Sequence, residues 1–288
     1  MARVSVVMPV YNAGRWFEPA LASVLGQTFR DFELIAIDSG STDGTRERLA
    51  EATDPRVRVV DLPAPCGVSI PSNLGLALAT GEFIARMDAD DDMHPERLAR
   101  QVAFLDASPG IDVVGTSFVA AEGERRALRQ QPAGDAAIKA RLLWLNGNAL
   151  HHPTVTFRAA LLETHSLGYP MLPVDQDHVL WIDMMKAGAR FANIQEPLLV
   201  YNIHASSVSR RNARVQHRDK TPLRADLLLA FYPDLAGREA TAIARLMEEG
   251  RALTYSEGYS GLDAIEKVAR LARAAHGACH ESVLESLR

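Results

Sequence analysis

The opening third of the chain, without an internal sequence repeat, alternates short β-prone runs and polar turns with segments whose apolar residues recur at helical spacing. Val4 to Val10, Phe32 to Ile37, Val57 to Val60 and Glu82 to Met87 read as strands. Trp16 to Leu25, Thr45 to Ala52, Ser72 to Thr80 and Pro95 to Ala107 read as the helices between and after them, with Gly26 and Gly81 at helix ends. Strands separated by helices pair side by side in the same direction, so the alternation predicts a mostly parallel sheet covered on both faces. Such a sheet presents ligand-binding loops at the carboxyl ends of its strands.

The alternation covers residues 1 to about 115, and after Ile111 to Ala121 the pattern loosens. Asp135 to Leu145 and Asp177 to Ala187 read as helices, while His152 to Arg158, Phe191 to Ile194 and Leu198 to Ile203 read as strands. From Thr221 onward the chain reads as helix, including Leu223 to Phe231, Glu239 to Glu249 and Leu262 to Ala275. The polar stretch Ser206 to Lys220 is the expected boundary before these helices. A net charge of −5 argues against nucleic acid as a partner, since phosphate backbones demand basic patches, and Arg125-Arg126 and Arg210-Arg211 are short. Cys66 and Cys279 lie far apart and form no metal or disulfide pattern, which points to a reducing, cytoplasmic setting. No run approaches the roughly 18 apolar residues of a membrane span, and Pro9 interrupts the N-terminal apolar run too early for a signal peptide.

Asp88-Ala89-Asp90-Asp91-Asp92 puts four carboxylates at the end of the fourth strand. That much negative charge in one place is costly without a cation, and hard oxygen donors at a strand's carboxyl end suit Mg²⁺ or Mn²⁺ with a phosphorylated substrate. An EF-hand calcium loop is excluded, because counting from Asp88 its required Gly and Glu positions hold Met93 and Ala99. A helix-start charge accounts for Asp91 or Asp92 but not for Asp88 and Asp90, which lie nearer the strand.

Three motifs in order, Val4 through Asn12, Ile37 through Thr45 and Ala85 through Asp91, resemble those of family-2 inverting glycosyltransferases. The likeness continues through His152 to Arg158, Gln176-Asp177 to Trp181, and Tyr201 to Ser209. It implies the GT-A fold, an α/β architecture with a mostly parallel central sheet, and a nucleotide-activated sugar donor, UDP-linked in preference. It further implies a catalytic domain over 1–209, with a nucleotide-binding half (1–115) and an acceptor-binding half (116–209), and it says nothing of the helical extension that the pattern predicts over 210–288. By resemblance Pro9, Tyr11 and Asn12 border the nucleobase and ribose, and Asp38 is the base-contacting aspartate. The competing role for Asp38 is closing an Asx turn, although Ser41, Thr42 and Asp43 already offer caps to the next helix. Asp88 and Ala89 belong with the donor, Asp90 ligates the metal, and His204 lies near the diphosphate or metal. Asp177 is the expected catalytic base, since inversion needs a proton acceptor opposite the leaving group. Its alternative role is a charge at a helix N-terminus. His151 and His152, just before a strand, are expected to cap rather than to line the acceptor cleft.

Two positions depart from the family pattern: Ser39 stands where a second Asp is common, and Ser72 where an Arg often meets the donor. Loss of that Arg would remove a bidentate phosphate contact. Asp183 also stands where Arg is frequent. The Gln-x-x-Arg-Trp signature of processive synthases is absent, which implies single transfers to a hydroxyl on a glycan or lipid-linked sugar. Two other functions compete, sugar-phosphate nucleotidyl transfer and non-catalytic nucleotide-sugar binding. The first wants a basic Gly-rich loop after the first strand, where this chain has only Gly14 and Arg15, and the second has no need of Asp177. The C-terminal helices leave three uses open besides simple packing: self-association, contact with the inner face of a membrane, or shaping the acceptor site.

Overall fold

In the computed structural model, which describes residues 1–145, 149–205, 207, 220–248, 253–271 and 274–287, strand β1 (Val4–Val10) lies between β2 (Phe32–Ser39) and β4 (Phe83–Arg86), parallel to both. Strand β3 (Val57–Leu62) pairs parallel on the outer side of β2 and forms an edge. Side chains along these strands alternate between two buried layers, as a two-residue period demands. Val4, Val6, Met8 and Val10 pack with Phe17 and Val24 of α1 (Phe17–Leu25) and with Leu98 and Leu105 of α4 (Arg97–Ala107). Val7, Ile35, Ile37 and Ile84 enter the opposite layer. Both faces are therefore covered, and the loops after β1, β2 and β4 emerge together at one sheet edge.

Helix α2 (Thr45–Ala50) follows β2, and α3 (Ser69–Leu78) lies across β1 and β2. α3 starts three residues earlier than its spacing suggested, because Pro71 sits in the first turn, where no N–H is needed. Gly75 makes the close approach possible, since a Cβ there would lie 2.3 Å from the Val7 Cγ1 atom. Gly81 is a crossing point rather than a helix cap, as a Cβ there would lie 2.7 Å from the backbone nitrogen of Ser5.

The second half extends the sheet with β8 (Thr156–Arg158), β6 (Val113–Glu122), β9 (Phe191–Asn202) and β5 (Asp92–Met93), giving the order β3-β2-β1-β4-β8-β6-β9-β5. β8 runs antiparallel to β4 and β6, β5 antiparallel to β9, and β7 (Arg125–Arg129) forms a hairpin with β6. The sheet is thus parallel where β and α alternate and mixed beyond. The two runs after Phe191 form one strand. Its pairing with β6 shifts register on either side of Ser117, around Pro197, which has no N–H to give a ladder. His152–Thr154 is a 3-10 turn rather than strand, with Pro153 inside it, and the β8 strand begins only at Thr156. Helix α5 (Asp135–Arg141) tightens into a 3-10 turn at Leu142–Trp144, and α6 (Ala159–His165) follows β8. α7 (Gln176–Lys186) falls where its spacing predicted.

The C-terminal helices α8 (Thr221–Phe231), α9 (Gly237–Leu246), α10 (Tyr255–Ala269) and α11 (His280–Leu287) pack on one another and on α5, α7 and the turn at Leu142–Trp144. Leu227, Leu228 and Phe231 share one core with Trp181, Met184 and Met185 of α7. The expected boundary stretch lies outside the described residues except for Ser207 and Lys220, and Arg210 and Arg211 lie outside them too. Among the described residues no helix is long and apolar enough to cross a membrane.

Candidate active site

The acid loop is pinned from both sides. β4 ends at Arg86, and the Met87 N–H still donates to the Val7 carbonyl at 3.1 Å. From the far side, Asn202 at the end of β9 donates its backbone N–H to Asp91 Oδ1 (2.9 Å) and its amide to the Asp90 carbonyl (2.9 Å) and Asp92 Oδ2 (3.0 Å). Two buried arginines lie beneath. Arg86 donates to Asp88 Oδ1 at 2.6 Å and to the Met87 carbonyl, and Arg97 donates to the Arg86 carbonyl at 2.9 Å. Burial pulls the Arg97 pKa down to about 9. Gln101 joins this platform to the next strands, accepting from Arg97 (3.0 Å) and Thr156 (2.8 Å) and donating to the carbonyls of Val114 (3.0 Å) and Thr154 (2.8 Å). A buried amide with all its partners satisfied fixes geometry without leaving a desolvation penalty.

One oxygen each of Asp88, Asp90 and Asp91 lies within 4.8 Å of the others. Burial raises the Asp88 pKa; Arg86 opposes this, while the charges of Asp90 and Asp177 add to it. Burial raises Asp91 further still, with Asp90 and Asp88 adding. Asp91 Oδ2 is buried and has no hydrogen-bond partner among the described residues. A buried carboxylate with one oxygen left unpartnered is expensive, and a divalent cation with a taste for hard oxygen is a group that relieves it. His204 Nε2 lies 3.0 Å from Asp90 Oδ2 and extends the donor set. The residues present therefore fit Mn²⁺ or Mg²⁺. The sequence left a helix-start charge open for Asp91 or Asp92, and the fold groups Asp91 with Asp88 and Asp90.

These acids open into a cleft of about 700 Å³. Pro9, Tyr11, Asn12, Ala89 and Ser39 line it together with Asp88, Asp90, His204 and Asp177, so the fold brings nearly all the sequence candidates together. Asn12 turns the chain at φ 48°, its Oδ1 accepting from the Thr42 N–H (2.8 Å) and its own N–H donating to Ser41 Oγ (2.9 Å). Asp38 is the exception. It is fully buried, both its oxygens accept from Ser41 (2.9 Å from the N–H, 2.5 Å from Oγ), and it is not among the cleft-lining residues. That is the Asx-turn arrangement, in which the carboxylate shapes the loop that presents Ser39. Ser72 is likewise buried and off the cleft, which its neighbour Pro71 lines instead. Asp183 is half-buried on α7 and also off the cleft.

Asp177 sits in the first turn of α7, with His178 Nδ1 3.7 Å from its Oδ1. Asp175, immediately before the helix, has φ 61° and lies 3.3 Å from the same imidazole nitrogen and 3.1 Å from Lys220 Nζ. Burial pushes the Asp175 pKa up, but the hydrogen bond from His178 and the Lys220 charge outweigh it and hold the group low. Burial likewise lowers His178, and Asp177 and Asp175 more than reverse it. His151 lines the cleft, contrary to the expected capping role, stacked on Phe118 at 3.9 Å and edge-on to Tyr201 at 4.6 Å. His152 lines it too and bonds the buried Tyr169 hydroxyl at 2.8 Å. Sequence reasoning missed Lys220, Arg224 and Glu248, which reach the cleft from the C-terminal helices. Charges in a helical tail carry no local signal of what they face.

The model of glycosyl transferase family 2 matches residues 5–165. The putative glycosyltransferase EpsE of Bacillus subtilis is 32% identical over 219 residues, covering 73% of this chain and 76% of EpsE. The putative teichuronic acid biosynthesis glycosyltransferase TuaG of the same organism is 29% identical, covering 72% and 81%. Among solved structures, S. aureus TarS with UDP-GlcNAc superposes with a TM-score of 0.69 at 21% identity, over 93% of this chain and 80% of that one. A Pyrobaculum calidifontis mannosyltransferase with GDP-Man and Mn²⁺ superposes with a TM-score of 0.55 at 23% identity, over 99% and 72%. These likenesses identify the architecture as the GT-A fold.

Proposed function

This chain belongs to glycosyl transferase family 2, and on that premise we propose an inverting, metal-dependent transfer of sugar from a nucleoside-diphosphate sugar to an acceptor hydroxyl. The observation that carries this reading is the placement of Asp177 on the same cleft as the acid loop, near enough for its charge to raise the proton affinity of Asp88. Asp177 takes the acceptor's proton as that oxygen attacks the anomeric carbon. The bond from that carbon to the β-phosphate oxygen breaks on the opposite face, and the electron pair leaves with the nucleoside diphosphate. Asp90 and His204 would hold the cation, with Asp88 and Asp91 within reach. When bound, the metal supplies charge stabilisation to the departing diphosphate. Pro9, Tyr11, Asn12 and Ser39 border the nucleobase and ribose, and Asp38 acts by holding their loop.

TarS in complex with UDP-GlcNAc supports a UDP-sugar donor, and the mannosyltransferase with GDP-Man and Mn²⁺ supports the metal and keeps GDP-sugars in view. TuaG, named for teichuronic acid biosynthesis, supports a role in polysaccharide assembly with a glycan or lipid-linked sugar as acceptor. Such an acceptor would put the reaction on the cytoplasmic side of a membrane. We assign residues 1–115 to the donor and 116–209 to the acceptor, with the C-terminal helices completing one wall of the cleft. The test is incubation with Mn²⁺ and a panel of UDP- and GDP-sugars, followed by measurement of free nucleoside diphosphate. Release of UDP or GDP that depends on the cation supports the reading. Pyrophosphate from an NTP, or donor binding without turnover, overturns it.

A further inference from the structure

Four segments meet behind the first turn of α7, and the join is ionic. Lys220, just before α8, donates from Nζ to Asp175 Oδ1 at 3.1 Å and to the Leu145 carbonyl at 2.5 Å. Its backbone N–H donates to Glu248 Oε2 at 3.3 Å, just beyond α9. The same carboxylate oxygen accepts from Arg224 at 2.5 Å, and Arg224 Nε donates to the Leu143 carbonyl at 3.1 Å. Lys220 and Asp175 each expose only 17% of the side chain, so their pairing is screened far less than an ion pair on the surface.

Asp175 is unusual in what it leaves undone. An Asp at a helix start ordinarily accepts from that helix's free N–H groups. Here the side chain caps none of them, and the backbone adopts a left-handed turn that an L-residue enters at some cost. Lys220 and His178 supply the contacts that hold this turn instead. Two residues on, Asp177 shares the same imidazole, 3.7 Å away. Without the lysine, Asp175 would compete harder for His178, and both the imidazole and the turn would be free to shift.

We propose that Lys220 is a positioning residue for transfer. By clamping Asp175 it fixes the turn that aims Asp177, so the C-terminal helices set the geometry of proton removal. The inference rests on the reading of Asp177 as base and adds to it a control point in the helical tail.

The test compares Lys220→Met, Lys220→Arg and Asp175→Asn in the full chain, with donor titration and thermal unfolding as checks on folding. Lys220→Met should lower kcat about tenfold or more while leaving donor KM within about threefold, because misaim acts on the reacting geometry. Lys220→Arg should recover most of the loss. Asp175→Asn should lower kcat similarly, and the double variant should be no worse than the poorer single one. Should Lys220→Met fail to fold, Asp175→Asn decides alone, as it leaves Lys220 bonded to Leu145. A kcat within about twofold of wild type in either folded variant, or a loss confined to KM, overturns the proposal. An Asp177→Asn control separates the two readings. If that control is inactive while Lys220→Met is normal, only the positioning role falls, whereas an active control overturns the base itself.

Discussion

His204 Nε2 lies 3.0 Å from Asp90 Oδ2, and the same imidazole stacks on the Trp16 ring at a centroid distance of 5.0 Å and an angle of 16°. The chain after β9 is thereby held against the turn after β1, with the acid loop between them. Asp90 is the carboxylate in that arrangement and His204 the adaptable partner. Asp90→Asn should lower Mn²⁺-supported transfer by about a hundredfold or more, in line with the several kcal/mol a bound cation supplies. His204→Ala should instead raise the Mn²⁺ concentration for half-maximal rate by about tenfold. Initial rates over a Mn²⁺ series distinguish the two, and a His204 variant with an unchanged Mn²⁺ response would remove that residue from the metal site.

Asp177→Asn keeps the shape of the side chain and removes its capacity to take a proton. Transfer should drop by about 10² to 10⁴, the usual worth of a positioned base, with donor affinity within a few-fold. Donor titration beside turnover measurements checks both halves. An undiminished kcat would assign the proton to another group.

His151 makes stability depend on pH. Burial pushes its pKa down to about 3 from the ordinary 6.5, and its neighbour His152 is lowered in the same direction. The folded state resists a proton that the unfolded chain accepts, so the stabilisation is present above pH 6.5 and is lost as pH falls from there toward 3. His151 removes about 1.4 kcal/mol per pH unit within that window. His151→Phe keeps an aromatic ring against Phe118 and has nothing to titrate. Urea unfolding at neutral and mildly acidic pH should show its loss of stability smaller than wild type's by about 1 kcal/mol.

Gly75→Ala tests the packing of α3 on the sheet. The added carbon would meet Val7 Cγ1 at 2.3 Å and Ile37 Cδ1 at 3.1 Å, both in the buried layer behind the cleft. Overpacking of this kind should cost about 1–3 kcal/mol, read as a lower urea midpoint. An unchanged midpoint would mean that α3 can slide without loss.

What was legible in the sequence is what local pattern controls. The strands before residue 87 announce themselves because both their faces are apolar, and the acids at 88 and 90 because so much charge beside a strand needs a cation. β6 falls within Ile111 to Ala121 but carries no plain strand signature, because Gly115, Thr116 and Ser117 interrupt its apolar run, although all three are buried. Its neighbour β9 read as two strands because Pro197 interrupts the pattern, while the register shift that accommodates it arises only on pairing. Asp38 carries both motif and turn chemistry, and Ser41, three residues away, occupies both its oxygens, one through its N–H and one through its hydroxyl. Arg97 and Gln101 were unreadable as a platform, since their meaning lies in carbonyls of residues distant in sequence.

The wall supplied by Lys220, Arg224 and Glu248 bears on any attempt to re-engineer this transferase. Grafting a foreign tail onto the sheet, or trimming the existing one to a minimal catalyst, would remove part of the wall that encloses the acids. Swaps meant to alter solubility or tethering would therefore also replace charged groups that line the cleft beside the acid loop.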